Sequence, residues 1–304
     1  MSAMRFNVES RISGQTQRVR ARTCRKAICR QMNAHTPSAK ALRMELARLA
    51  MVVIGIATCV VATSIARADG LENIKKSGVL KVAVPQDFPP FGTVDADLRP
   101  QGYDVDMARL IADSLGVKVE LVLVTSANRI PFLTTRKVDL VVSSLGRTSD
   151  REQVIDFSIA YAPFFNGVFG PAGQKVSTVQ DLAGKTIGVT RGAVEDLELT
   201  RIAPSTATIK RFEDNSGTIM AFLSGQVQLM ATGNIVAAAI LAKNPPIRPE
   251  VKFLIRNSPC HVGLNKGEAR LLEAVNAIIT RARADGSLNA IARRWIGAEL
   301  PRDL

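Results

Sequence analysis

From residue 79 onward the hydrophobic pattern switches repeatedly between short apolar runs and stripes with helical spacing. Residues 79–84 (VLKVAV) predict a strand that ends at the PQDFPPFG loop. In residues 103–116, Met107, Leu110, Ile111 and Leu115 share one helical face, and Gly116 is placed to stop the helix. Strands are predicted at 117–124 and 138–144. Between them lies a short helix within 126–137 whose first turn must hold Pro131. Past an aromatic-rich stretch, 157–169, the pattern resumes. Strands are predicted at 184–190, 207–212, 227–232 and 250–256, and helices at 193–202, 216–225 and 235–243. Residues 268–297 read as two helices divided at Gly286. Strands alternating with helices require mostly parallel sheets flanked by helices. Two such series, one before residue 165 and one after 175, predict an α/β chain of two lobes. Ligands of open α/β sheets lie at the carboxyl ends of the strands, here in the cleft between the lobes.

Charge changes this picture little. The chain of 304 residues has a formal net charge of +13, but residues 1–68 hold 12 of the 40 Lys/Arg and 2 of the 27 Asp/Glu. The remainder is only mildly basic, so no nucleic-acid partner is expected. In residues 44–68, which Arg43 immediately precedes, an apolar core follows Arg48, from Leu49 to about Ala62, and leads to Ala66-Arg67-Ala68. This pattern predicts a signal peptide cleaved near Ala68, with Asp69 first in the mature chain and a periplasmic location. The uninterrupted apolar run is short for a membrane anchor. Residues 1–43 are Arg-rich and aperiodic. They read either as a disordered extension or as untranslated sequence ahead of a start at Met44. Of four cysteines only Cys260 lies beyond the leader, and no His/Cys cluster has ligand spacing, so neither a metal nor a cofactor is expected.

The stretch DLVVSSLGRTSDRE, residues 139–152, carries the chemistry. An apolar run ends in Ser143, Ser144 and Gly146, and Ser149 and Glu152 have capping-box spacing for a following helix. Arg151 falls in that helix's first turn, where the dipole disfavours a cation. Hydroxyls, an open backbone at glycine and a helix N-terminus together suit an anion, which would offset the cost through a bidentate pair.

Six segments in order, LKVAVPQDFPPF, GYDVDMARLIADSLGVKVE, IPFLTTRKVDLVVSSLGRTSDRE, IDFSIAY, DLAGKTIGVTRG and ADGSLNAIARRW, resemble the extracellular solute-binding proteins of family 3, which serve polar amino-acid ABC transporters. The resemblance spans residues 71–297. It implies the two-lobed type II periplasmic-binding-protein fold with two strand crossovers. Lobe 1 would comprise 69–165 plus 258–304, and lobe 2 residues 166–257. It also implies that Arg151 grips the ligand's α-carboxylate, with Ser143, Ser144 and the Gly146 backbone as further donors. Phe88 would stack on the ligand side chain, and the backbone of Thr190, Ala193 and Val194 would offer amides. The segment TSANRIP is similar to the glutamate/aspartate-binding branch, where the arginine at Arg129 would hold a side-chain carboxylate.

Two positions depart from the family. Where an Asp usually binds the ammonium, this chain has Gly233, followed by Asn234, an uncharged amide that becomes the candidate there. Where binders of basic amino acids carry Asp, it has Pro85. Arg147 and Arg191 add positive potential. The expected function is a monomeric, non-enzymatic binding component of an ABC importer, delivering a small polar solute to an inner-membrane permease. An acidic amino acid is favoured, or a carboxylate without the amine. The alternatives are a periplasmic dehydratase-like enzyme, for which only Glu195 and Asp150 are plausible acids near the cleft, and a ligand-sensing domain.

Overall fold

A computed structural model describes residues 70–302 and Leu304. The basic stretch 1–43 and the expected signal peptide with its cleavage site near Ala68 lie outside the described residues. Among the described residues no helix is long and apolar enough to cross a membrane.

The first lobe opens with α1 (Gly70–Ser77), followed by β1 (Val79–Pro85), the two-residue strands β2 (Thr93–Val94) and β3 (Pro100–Gln101), and α2 (Tyr103–Leu115). Then come β4 (Lys118–Val124), α3 (Arg129–Thr134), β5 (Leu140–Gly146), α4 (Ser149–Val154) and β6 (Ile155–Ala162). The chain crosses into the second lobe at β7 (Phe165–Gly170). A short 3-10 turn (Gln180–Leu182) leads to β8 (Thr186–Thr190), α5 (Val194–Ile202), β9 (Thr208–Phe212), α6 (Asn215–Leu223), β10 (Leu229–Gly233), α7 (Asn234–Leu241) and β11 (Glu250–Asn257). It returns at β12 (Cys260–Asn265) and closes with α8 (Ala269–Ala284) and α9 (Ser287–Ile296).

The sheets have the orders β4-β1-β5-β12-β6 and β11-β7-β10-β8-β9. β4, β1 and β5 are parallel, as are β10, β8 and β9. β12 runs antiparallel to β5 and β6, and β7 antiparallel to β10 and β11. These two inserted strands close each sheet after the chain has changed lobes. Both faces of each sheet are covered, as the near-continuous apolar strands require. In β1, Leu80, Val82 and Val84 face one core with α2 and α8, while Ala83 faces another with Leu133 and Ile155. In β10, Leu229 and Ala231 meet Leu199 of α5, and Met230 meets Phe222 of α6.

Several local expectations change. The cap of α4 is Thr148 rather than Ser149: its side chain accepts from the Arg151 backbone N–H at 3.3 Å. The expected strand at 138–144 is displaced to Leu140–Gly146. Helix α1 and strand β6 lie in stretches with no predicted element, whereas β7 and the start of β12 fall at the strand crossovers that the resemblance implies near residues 162–169 and 255–262. The three strands join the lobes and mix Phe, Tyr, Gly, Ala and Asn, so neither a helical nor an alternating apolar period marks them.

Candidate functional site

The carboxyl ends of β1, β5, β8 and β10 converge at the two crossovers. Between the lobes a narrow cavity, about 380 Å³ of void including its mouth, is bounded by residues of both lobes and of the crossovers themselves.

From lobe 1 come Phe88, Ser126, Arg129 and Ser144. Phe88 follows β1 and lies beside Phe91 and Phe164, with ring centroids 5.9 and 6.0 Å away. Arg129 starts α3 and is 4% exposed. One arm of its guanidinium donates to the Ser143 carbonyl, while its Nε is buried with no partner. Burial pulls its pKa down, against the opposing pull of the Glu195 charge. Ser144 is a non-glycine residue at φ +45°, a conformation that costs energy unless its surroundings hold it. Asp104 of α2 supplies that hold, accepting from the Ser144 N–H at 2.7 Å, its hydroxyl at 3.0 Å and the Tyr161 hydroxyl at 2.6 Å. Asp104 is completely buried, and desolvation raises its pKa to about 7 against those hydrogen bonds.

From lobe 2 come Asn166, Thr190, Ala193, Val194, Glu195, Asn215, Ala231 and Thr232, and from the crossovers Phe164 and Ser258. Thr190 turns its hydroxyl to Asn215 and Thr218, at 2.9 and 2.8 Å. Glu195 lies in the first turn of α5, next to the helix's positive end, and is 4% exposed. Burial raises its pKa, while a hydrogen bond from Asn166 and the charges of Arg129 and Arg151 oppose the rise. Among the described residues no group of three His, Cys, Asp or Glu is arranged to hold a metal ion.

Of the residues singled out in the sequence, Phe88, Arg129, Ser144, Thr190, Ala193 and Val194 come together around this cavity. Arg151, Ser143, Gly146 and Asn234 do not border it. Arg151 is buried, but its arms go to main-chain oxygens: Gly146 at 2.7 Å in its own lobe and Gly192 at 2.9 Å in the other. Those carbonyls answer the cation in the first turn of α4. Gly192 lies at φ +73°, and a Cβ there would meet the Ala127 backbone of lobe 1 at 3.0 Å, so glycine permits this close approach. Ser143 contributes its carbonyl to Arg129 rather than a hydroxyl to the cavity. A Cβ on Gly146 would fall 2.2 Å from the Ser258 hydroxyl oxygen, so that oxygen closes over its backbone. The Asn234 Oδ1 accepts from the Phe165 N–H at 3.0 Å, which ties α7 to β7. Arg147 pairs with Glu152, and Arg191 with Glu213. Sequence reading passed over Asn215, the first residue of α6, and also Phe164, Asn166 and Ser258, the three that lie on or near the crossovers. The only available signal was their position in the aromatic stretch and beside Cys260.

The sequence and the fold place this chain among known proteins. It is 27% identical over 240 residues to the ABC transporter glutamine-binding protein GlnH of Bacillus subtilis (strain 168), covering 77% of this chain and 87% of that protein. An ancestral arginine-binding protein bound to arginine superposes with a TM-score of 0.68 at 30% identity, over 72% of this chain and 98% of that one. The ancestral amino acid-binding protein AncCDT-1, a precursor of cyclohexadienyl dehydratase, does so with a TM-score of 0.69 at 29% identity, over 74% and 99%. Residues 80–298 match the bacterial extracellular solute-binding proteins, family 3, and with the type II periplasmic-binding-protein architecture built above, the chain belongs to that family.

Proposed function

We propose that this protein is the substrate-binding component of an ABC importer for an amino acid, with acidic amino acids favoured. In this reading it works in the periplasm as a monomer and delivers its ligand to a permease of the inner membrane. The observation that carries the reading is Arg129. Its guanidinium is anchored at one arm and presents a buried, unpartnered Nε in the cavity wall. A buried donor without an acceptor is costly. A carboxylate is the group that best answers a guanidinium edge, through a short charge-assisted pair. Arg151 lies behind the same wall and adds positive potential. The cavity border itself holds one guanidinium, Arg129, and one carboxyl, Glu195; behind it lie Arg151 and the Asp104 carboxyl, whose pKa burial lifts to about 7, so the balance stays positive. An anionic amino acid balances that arrangement better than a cationic one.

A dehydratase-like enzyme has one observation in its favour, the buried acid Glu195. Proton transfer to and from a substrate needs a second positioned group, and the only other titratable residue bordering the cavity is Arg129. Binding without turnover therefore fits better. A thermal-shift screen of the purified protein against amino acids and dicarboxylates tests the reading. A ligand at 100 times its Kd stabilises the folded state by about 2.7 kcal/mol. L-glutamate or L-aspartate should give the largest shifts and return chemically unchanged by mass spectrometry. A best response to lysine or arginine would refute the acidic preference, and no response to any amino acid would refute the whole reading.

A further inference from the structure

We infer that Glu195 and Asn166 together form the ammonium site for the ligand's α-amino group, in place of the acid missing at Gly233. The inference rests on the amino-acid reading above and assigns the other end of the same ligand.

Three independent observations lead to it. First, the position after β10 is closed to a side chain. A Cβ on Gly233 would lie 1.8 Å from the tip of the Phe164 ring, so that ring occupies the space where an acid would stand. Second, an acceptor lies directly across the sheet. In the antiparallel pairing of β10 with β7, Gly233 is opposite Asn166, and the Asn166 Oδ1 is buried in the cavity wall with no partner. Opposed residues of such a pair have their Cβ atoms roughly 5 Å apart, so the acceptor has moved by one strand and stays at the same depth in the cleft.

Third, Glu195 brings a carboxyl group to the same cavity wall as that acceptor. It is the only acid of α5 left without an ion pair among the described residues. Asp196 pairs with Arg211 at 2.7 Å, and Glu198 pairs with Arg256 at 2.7 Å and Arg201 at 3.1 Å. Glu195 borders the same cavity as Asn166, near enough for the Asn166 amide to favour its ionised form, while the Asn166 amide oxygen has no partner.

An ammonium carries three donors and no acceptor. A carboxylate and an amide oxygen that converge on one cavity suit that group, whereas a second carboxylate would meet only repulsion. The placement also links recognition to closure. The carboxylate receptor Arg129 belongs to lobe 1 and the ammonium acceptors to lobe 2, so a zwitterion spans the cleft and draws the lobes together. This reverses the expectation from Gly233 that a carboxylate lacking the amine would serve as well.

The test uses calorimetry on the purified protein with L-glutamate, L-glutamine and L-cysteine, each against its counterpart without the amino group: glutarate, glutaramate and 3-mercaptopropionate. Wild type should prefer the amino acid by roughly 100-fold, the loss expected when a desolvated charged partner is removed. In Glu195→Gln, which keeps the side chain's shape, that ratio should collapse to about tenfold or less, with the deaminated acid bound as well as before or better. Asn166→Leu should lower the ratio independently, and it decides the matter if Glu195→Gln fails to fold. An undiminished ratio in the folded variants overturns the inference while the amino-acid reading stands. Equal binding of both members by wild type also overturns it. Failure of every amino acid to bind wild type overturns that reading and this inference together.

Discussion

The Arg151 guanidinium of lobe 1 donates to the main-chain oxygen of Gly192 in lobe 2 at 2.9 Å, while its other arm holds the Gly146 oxygen at 2.7 Å. In this structure the arginine that the sequence places like a carboxylate receptor bridges the two lobes through main-chain oxygens. Its bond to Gly192 is broken whenever the lobes separate.

Arg151→Ala should therefore weaken binding of all ligands by a similar factor. One charged hydrogen bond contributes about 1.5–3 kcal/mol, or roughly 10- to 150-fold in affinity. Arg151→Lys should recover only part of this, because one ammonium cannot reproduce a fork that spans two carbonyls. Calorimetry on acids and their amides separates the roles. A selective loss of α-carboxylate ligands, with their amides spared, would make Arg151 a direct ligand receptor.

Arg129→Ala should discriminate where Arg151→Ala does not. Removing one partner of a buried hydrogen-bonded charge pair costs about 2–5 kcal/mol. L-glutamate should lose at least that much, and its advantage over L-glutamine should shrink towards unity. A circular-dichroism melt shows whether the fold persists, since Arg129 also holds the Ser143 carbonyl. Retention of the glutamate preference would disprove its role as carboxylate receptor.

Gly233→Asp should not create an ammonium site. The new side chain must displace the Phe164 ring, which itself packs against Phe88 and Phe91. Overpacking costs about 1–3 kcal/mol, and an acid against aromatic rings adds desolvation. The variant should melt lower and bind more weakly than wild type. Adding Phe164→Ala should recover part of the loss, a coupling that a double-mutant cycle measures. Additive effects would show that the two positions are not in steric conflict.

Asp104→Asn should destabilise the fold by about 1–3 kcal/mol, because the amide nitrogen meets donors from Ser144 and Tyr161 where the carboxylate accepted. It should also weaken ligand binding, since Ser144 holds its left-handed backbone through that carboxylate. The pH dependence has a definite sign. Burial lifts the Asp104 pKa from 3.8 to about 7. The folded state therefore binds its proton more tightly than the unfolded chain does. The resulting stabilisation is full below the unfolded pKa and fades as pH rises towards about 7. Urea titrations at several pH values should show the wild-type advantage over Asp104→Asn shrinking across that window. A constant difference would mean that Asp104 does not titrate there.

Much of the architecture was legible because it depends on local periodicity. The parallel strands β1, β5, β8 and β10 are mostly buried apolar runs, the edge strands β4 and β9 alternate between more and less exposed positions, and α2, α5, α6 and α7 carry apolar stripes between them. The strands that change lobes were legible only through the family resemblance, not through any local period. Phe165, Asn166 and Gly167 give no period, and they are strand only because β10 and β11 flank them.

The sequence by itself determined most of the parallel strands and the helices between them, that two α/β series exist, and that Arg129, Ser144 and the 190–194 turn sit at strand ends or helix starts. Backbone periodicity and side-chain burial are enough to impose those features. Tertiary structure alone decided what each group faces. It directed Arg151 to two carbonyls and left the Arg129 Nε open. It placed the Phe164 ring over Gly233, and set Asn166 and Glu195 together although they lie 29 positions apart. The physical reason is that partnership in a buried site follows from direction and distance after two distant chain segments have packed. Sequence spacing carries neither quantity between segments that meet only across a cleft.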